Sequence, residues 1–346
     1  MKIKKIGIVS LSSGILGEDF IKHELEIGKK RISDYGIELE FLPHALKGMD
    51  FIKDKPKYRA QDLITAFEDD SIDMILCAIG GEDTYRLLPY LFDKDELKNA
   101  VRQKIFLGFS DTTINHLMLN KLGIKTFYGQ AFLPDVCELS TEMLPYTKKY
   151  FEELITTGQI SEIRPSDVWY KEREDFSEAA IGKEMESFPN KGFELIKGKA
   201  MFEGEILGGC IETIFNIFEN YRFEDTVSIC QKYEIFPSLE QWKDKILFLE
   251  TSENRPEPSF YQKMIRALKE YGIFDVISGL LVGKPQDDTY YDEYKEILLE
   301  ELSACDLSIV YNINSGHSTP RCIISFGVRA TVDAKEEVIK FQLKLS

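Results

Sequence analysis

From residue 1 to about 130, short apolar runs alternate with longer amphipathic stretches, and this alternation restricts the possible folds more than any other feature of the chain. Apolar runs of strand length, each followed by apolar residues three or four apart, are the pattern of βαβ units on a mainly parallel sheet. Residues 5–10, 37–42, 72–79 and 104–109, rich in Ile, Val, Leu or Phe, read as four strands. Ile21, Leu25, Ile32 and Tyr35 mark the apolar face of one helix, and Ala60, Leu63, Ile64 and Phe67 that of a second. The N-terminal half is therefore expected to be doubly wound. Ligands of such sheets bind beyond the carboxyl ends of the strands, so functional residues are sought directly after strands.

The rhythm is lost between about 140 and 200. Residues 141–157 read as a helix, but 161–197 are polar, charged and proline-containing, with Trp169, Phe176 and Phe188 dispersed among them. That is the composition of a linker or a long functional loop. Order resumes near Gly198: Glu205, Ile206, Leu207, Gly208 and Gly209 lead into a helix at 211–218. Strands are expected at 246–249, 276–282 and 308–313, and 327–343 read as a hairpin. A chain of 346 residues exceeds what a single core usually fills. Two units are expected, 1–140 and 201–346, joined by a helix and substrate loop over 141–200.

A formal charge of −16, from 43 basic and 59 acidic residues, opposes binding to a polyanion and excludes nucleic acid as a partner. The six cysteines form no CxxC pair and read as small buried hydrophobes in a reducing compartment. Ser10, Ser12 and Ser13 interrupt the apolar start before it resembles a signal peptide. No stretch approaches the roughly 18 apolar residues of a membrane span. A cytoplasmic protein without a membrane partner is expected.

The sharpest local feature is the apolar run 104–109 ending in Gly108-Phe109-Ser110-Asp111 and passing straight into a helical stretch at 113–122. A strand-to-helix turn exposes the Ser110 hydroxyl near the positive end of a helix and offers the Asp111 N–H as an oxyanion donor. Thr112 stands where the usual elbow has its last glycine, and a simple helix cap by Ser110 or Asp111 is the competing reading. A nucleophilic serine needs a base, and the chain has four histidines. His23 and His116 fall on helices and suit surface or core roles, His44 follows a strand, and His317 lies in the polar turn Asn314-Ser315-Gly316-His317. A carboxylate held at a strand end would orient that imidazole. Glu250 ends the strand at 246–249, with Glu253 as its competitor and a surface ion pair as the plain alternative for either.

Gly80-Gly81-Glu82 follows another strand. Two glycines let the backbone approach a ligand and present N–H groups to an anion, so Gly81 is a candidate oxyanion donor and the turn a candidate substrate contact; a plain tight turn is the alternative. The turn matches neither a phosphate loop nor a dinucleotide fingerprint, and no cofactor is expected. No His-x-x-x-His or Cys/His cluster supports a metal. Arg86, Arg321 and Lys284 are candidates to anchor a substrate anion.

In this order, Gly80 to Leu88, Gly108 to Thr113, Gly204 to Gly209, Leu247 to Glu250, and Gly316-His317 with Pro320 and Gly327 resemble the serine peptidase family of LD-carboxypeptidases and the related microcin C self-immunity proteins. The resemblance spans nearly the whole chain. It implies a triad of Ser110, Glu250 and His317 and an oxyanion hole from the backbone of Gly81 and Asp111. It also implies an N-terminal doubly wound, flavodoxin-like parallel sheet, a smaller C-terminal α/β unit rich in strands, and a homodimer. LD-carboxypeptidases release the terminal D-alanine of muropeptide tetrapeptides. The immunity branch hydrolyses the bond joining a C-terminal acidic residue to a modified nucleotide. Residues 167–172 and 189–193 resemble the tryptophan-bearing insertion of that branch, where Trp169 would stack on a purine, although the second aromatic is Phe176. The expected substrate is a peptide–nucleotide conjugate or small peptide, contacted by Gly80, Glu82, Trp169 and Arg321. The alternatives are murein peptide hydrolysis and a silent peptide- or nucleotide-binding protein.

Overall fold

The computed structural model describes residues 2–343; residues 1 and 344–346, at the outer limits of the expected units, lie outside the described residues. The first sheet has five parallel strands, β1 (Lys5–Val9), β2 (Glu38–Phe41), β3 (Met74–Cys77), β4 (Ile105–Gly108) and β5 (Thr126–Tyr128), in the spatial order β2-β1-β3-β4-β5. Ile6, Ile8, Ile75, Leu76, Phe106 and Leu107 are fully buried, as expected of a parallel sheet covered on both faces. The strand order reverses between β1 and β3. The loops leaving those strands diverge there and open a crevice at their carboxyl ends.

The rest of the chain supplies β6 (Glu162–Ile163), β7 (Val168–Tyr170), β8 (Ser187–Pro189), β9 (Glu194–Lys197), β10 (Met201–Cys210), β11 (Ile246–Glu250), β12 (Gly279–Gly283), β13 (Ser308–Ile313), β14 (Ile324–Phe326), β15 (Arg329–Asp333) and β16 (Val338–Phe341). Eight of these form the second sheet, in the order β6-β16-β15-β10-β11-β12-β13-β9. Its centre is parallel from β10 to β13, and its flanks are antiparallel. β10 serves two neighbours in turn: Met201 to Glu205 run against β15, and Ile206 to Cys210 run alongside β11.

Two features depart from the sequence pattern. The polar stretch 161–197 is built into the fold: β6 and β9 extend the second sheet, and β7 pairs with β8 so that Trp169 stacks on Phe188 at 4.6 Å. Partners supplied by distant segments create these short strands, so their own composition does not announce them. The second feature is β14, which leaves the C-terminal half and pairs antiparallel with β5. Beyond the glycine turn the chain makes a single tight turn, Thr84–Leu87, followed by a short helix at Leu88–Phe92 with Pro89 in its first turn, where a missing N–H costs nothing. No helix among the described residues is long and apolar enough to cross a membrane.

Candidate active site

Four strand ends converge. Ser110 follows β4, Gly80 and Gly81 follow β3, Glu250 ends β11, and His317 lies in the loop after β13. The two sheets meet through specific contacts at these ends: the Cys210 N–H donates to Thr113 Oγ1 at 3.0 Å, and the Tyr128 hydroxyl donates to Glu250 Oε1 at 2.6 Å.

Ser110 has φ +66°, a left-handed conformation that costs a side-chain-bearing residue about 1–2 kcal/mol. Local bonds hold it there. Its N–H donates to the Tyr128 hydroxyl at 3.0 Å, and Thr113 Oγ1 donates to its carbonyl at 2.7 Å. The Gly80 backbone lies so close that a Cβ on residue 80 would sit 2.6 Å from Ser110 Cβ and 2.8 Å from Oγ. Only glycine fits.

The Asp111 side chain does not cap its own helix. It accepts from Ser12 Oγ at 2.6 Å and from the Thr84 N–H at 2.8 Å, tying the glycine turn to the serine turn. A buried bidentate pair, Arg59 with Asp83 at 2.6 and 3.2 Å, fixes the same turn from behind.

His317 Nε2 lies 3.0 Å from Ser110 Oγ, and Nδ1 lies 2.7 Å from Glu250 Oε2, which also accepts the His317 backbone N–H at 3.2 Å. Glu250 sits directly against Gly316, whose φ is +88° and which has no room for a Cβ. An imidazole between a hydroxyl and a buried carboxylate is arranged to take the hydroxyl proton as an oxygen nucleophile attacks. Glu253, the competitor for the carboxylate role, is also present: its Oε2 lies 3.0 Å from Nε2, on the side facing Ser110. Burial works to lower the pKa of His317, but Glu250 and Glu253 outweigh it and raise the imidazole to about 10. The hydrogen bond from His317 holds the Glu253 carboxyl down at about 2.

These groups open onto a cavity of about 590 Å³. Gly80, Gly81, Ser110 and His317 line it, Phe20, Ile21, Leu139 and Phe176 supply apolar wall, and Glu24, Glu138 and Arg173 add charge. Burial raises the Glu24 carboxyl to about 7. Arg173 is paired with Glu138 at 2.5 Å.

Several expected contacts fall elsewhere. Arg321 lines the cavity, but its donors go to the carbonyls of Gly316 and His317 and to Asp135, so it braces the histidine loop instead of offering a free anion site. Glu82 is exposed outside the lining, its N–H bonded to Ser12 Oγ at 2.9 Å. Trp169 is likewise outside it, held between the Phe188 ring and the Lys284 ammonium at 4.9 Å. Arg86 packs on Phe223, and Lys284 pairs with Asp288. The other histidines have partners of their own: His44 pairs with Asp62, His116 with Thr126 and the Gly108 carbonyl, and His23, behind the cavity wall, with the Phe176 carbonyl. Burial lowers His116 to about 3, which keeps it neutral in the core.

Cys210 Sγ lies with Glu250 and His317 ligand atoms inside a 4.8 Å circle, a spacing compatible with a metal. Burial pushes the thiol well above its ordinary pKa, the thiol bonds to Glu212, and Glu250 and His317 bond to each other. The thiol keeps its proton, and the imidazole and the carboxylate satisfy each other, which does not suit a cation.

The sequence pattern gave no sign of Tyr128. Its strand is three residues long, and the carboxylate its hydroxyl meets lies 122 positions away.

Residues 6–129 match the family model for the LD-carboxypeptidase N-terminal domain of peptidase S66, and residues 203–332 match that for its C-terminal domain. Among curated proteins, the chain is 29% identical to a putative carboxypeptidase of Treponema pallidum over 83% of this chain and 78% of that protein. It is 26% identical to the microcin C7 self-immunity protein MccF of Escherichia coli over 80% of this chain and 76% of that one. Among solved structures, an MccF-like protein from Streptococcus pneumoniae in complex with AMP is 62% identical, with coverage of 98% and 99% and a TM-score of 0.97. An MccF-like protein from Bacillus anthracis is 25% identical, with coverage of 99% and 97% and a TM-score of 0.81. The chain belongs to the peptidase S66 family of LD-carboxypeptidases.

Proposed function

We propose that the protein is a serine peptidase of the microcin-immunity type, hydrolysing the amide bond between a carboxyl-terminal acidic residue and a nucleotide-like group. The observation that carries the reading is the unbroken chain from Ser110 Oγ through His317, at 3.0 Å, to Glu250, at 2.7 Å, beside the cavity. Ser110 Oγ attacks the scissile carbonyl as His317 Nε2 takes its proton, and Glu250 stabilises the imidazolium. The N–H groups of Gly81 and Asp111 receive the oxyanion. His317 then returns the proton to the leaving nitrogen, and water, activated by the same imidazole, releases the acyl group.

The 62% identity to an MccF-like protein whose structure holds AMP favours a nucleotide-bearing substrate over a muropeptide. Phe176, an exposed ring on the cavity wall, is the aromatic face placed to meet such a group, because Trp169 is engaged with Phe188. The test is a side-by-side assay of the purified chain on aspartyl sulfamoyl adenosine and on an L,D-tetrapeptide. Hydrolysis of the nucleotide conjugate at the higher kcat/KM is expected; release of D-alanine alone overturns the choice of substrate.

A further inference from the structure

Tyr128 is fully buried where the two sheets meet. Its oxygen accepts the Ser110 N–H at 3.0 Å, and its proton goes to Glu250 Oε1 at 2.6 Å. The other carboxylate oxygen, Oε2, holds His317. A single hydroxyl therefore joins the backbone of the nucleophile to the far side of the carboxylate that orients the base.

We propose that Tyr128 is a positioning residue: its hydroxyl fixes the strained Ser110 turn against Glu250 and, through Glu250, sets how tightly His317 keeps its proton. The proposal rests on the hydrolytic reading of Ser110, His317 and Glu250. Three observations support it. Burial, followed by the neighbouring Glu250, holds the phenol well above its ordinary pKa, so the hydroxyl stays a donor throughout the working pH range. Aromatic packing holds the ring independently, with Phe326 stacked at 5.1 Å and Phe248 at 5.7 Å, so the hydroxyl can be removed without removing the ring's support. The Ser110 N–H is held by this hydroxyl, and the left-handed turn at Ser110 depends on such local bonds.

The direction of the effect follows from the charges. A donor on Oε1 spreads and stabilises the negative charge of Glu250. Without it the carboxylate is more basic, and the Glu250–His317 pair keeps its proton to higher pH. The other groups facing this pair are the Cys210 thiol from β10, the Glu212 carboxyl and the Thr113 hydroxyl from the helices that follow β10 and Ser110, the Arg321 guanidinium on the histidine loop, and the Glu253 carboxylate on the outer side of His317. None of them changes when only the phenol oxygen is removed.

The experiment measures the rate at which a fluorophosphonate labels Ser110, as a function of pH, together with the melting temperature. In Tyr128→Phe the maximal labelling rate falls about 10- to 100-fold and the acid limb moves up by about one pH unit, the size expected for one hydrogen bond to a charged group. Trifluorotyrosine at position 128 keeps both bonds with a stronger donor and moves the limb down. A role in packing alone would lower the melting temperature and leave the limb in place. Wild-type rate and limb in Tyr128→Phe, or a limb moving the same way in both variants, overturns the proposal. If Tyr128→Phe does not fold, the fluorinated protein decides by the direction of its shift. A wild-type protein that is not labelled at Ser110 overturns the hydrolytic reading and this proposal with it. Labelling at Ser110 that is indifferent to the hydroxyl overturns this proposal alone.

Discussion

His317 has a carboxylate at each ring nitrogen, Glu250 at Nδ1 and Glu253 at Nε2, and this governs how the site responds to pH. With the imidazole raised to about 10, the resting site holds a proton that must leave before Ser110 can be deprotonated, so activity should climb as pH rises above neutral. The proton also links to stability: its contribution is complete below the ordinary histidine value of about 6.5 and is lost as pH rises through about 10. In Glu253→Gln one of the two negative partners is gone, so the acid limb of kcat/KM should move to lower pH and the alkaline loss of stability should begin earlier. Both are read from a pH–rate series and thermal melts; an unmoved limb would show that Glu253 does not act on His317. At this scale Ser110, Glu250 and His317 stood out in the sequence because each lies at the end of an apolar run or in the polar turn that leaves it. Glu253 was visible only as a competitor of Glu250, since spacing along the chain does not tell which ring nitrogen a carboxylate will meet.

At the scale of elements, the turn after β3 and the turn after β4 are packed as a pair, with Gly80 against Ser110 and Asp111 bonded to Ser12 and Thr84. Gly80→Ala should cost about 1–3 kcal/mol of stability, as overpacking does. It should also cut turnover at least tenfold, because the methyl group displaces the serine side chain. Thermal unfolding and steady-state kinetics check the two effects separately, and unchanged turnover would mean that the turns are less tightly coupled than the contacts indicate. Strands β1 to β4 and β11 to β13 were legible as apolar runs and the helix at Ile211–Phe218 from its apolar face. β10, although ten residues long, did not declare itself as a strand, because Glu203, Glu205 and its glycines interrupt the apolar run. β5, β9 and β14 were not legible either, because these short segments carry too few apolar residues to stand out and are held as strands by pairing, β9 with β13 and β5 with β14, across more than 100 positions.

Over the whole molecule, β14 stitches the C-terminal half into the first sheet, and Tyr128 and Thr113 bridge the sheets at the site. The two halves should therefore unfold in one calorimetric transition that coincides with loss of activity; two resolved transitions would contradict that coupling. The sequence rhythm conveyed two regions of different character, but not the crossing of β14, which depends on a register no local pattern records. This seam is what places an oxygen from one half against a nitrogen from the other, and the hydrolytic reading depends on that meeting. Turnover of aspartyl sulfamoyl adenosine by Ser110→Ala, measured beside the wild-type protein, tests it most directly. A loss of three or more powers of ten in kcat, with the fold intact, is the expected result. Hydrolysis at the wild-type rate would contradict it.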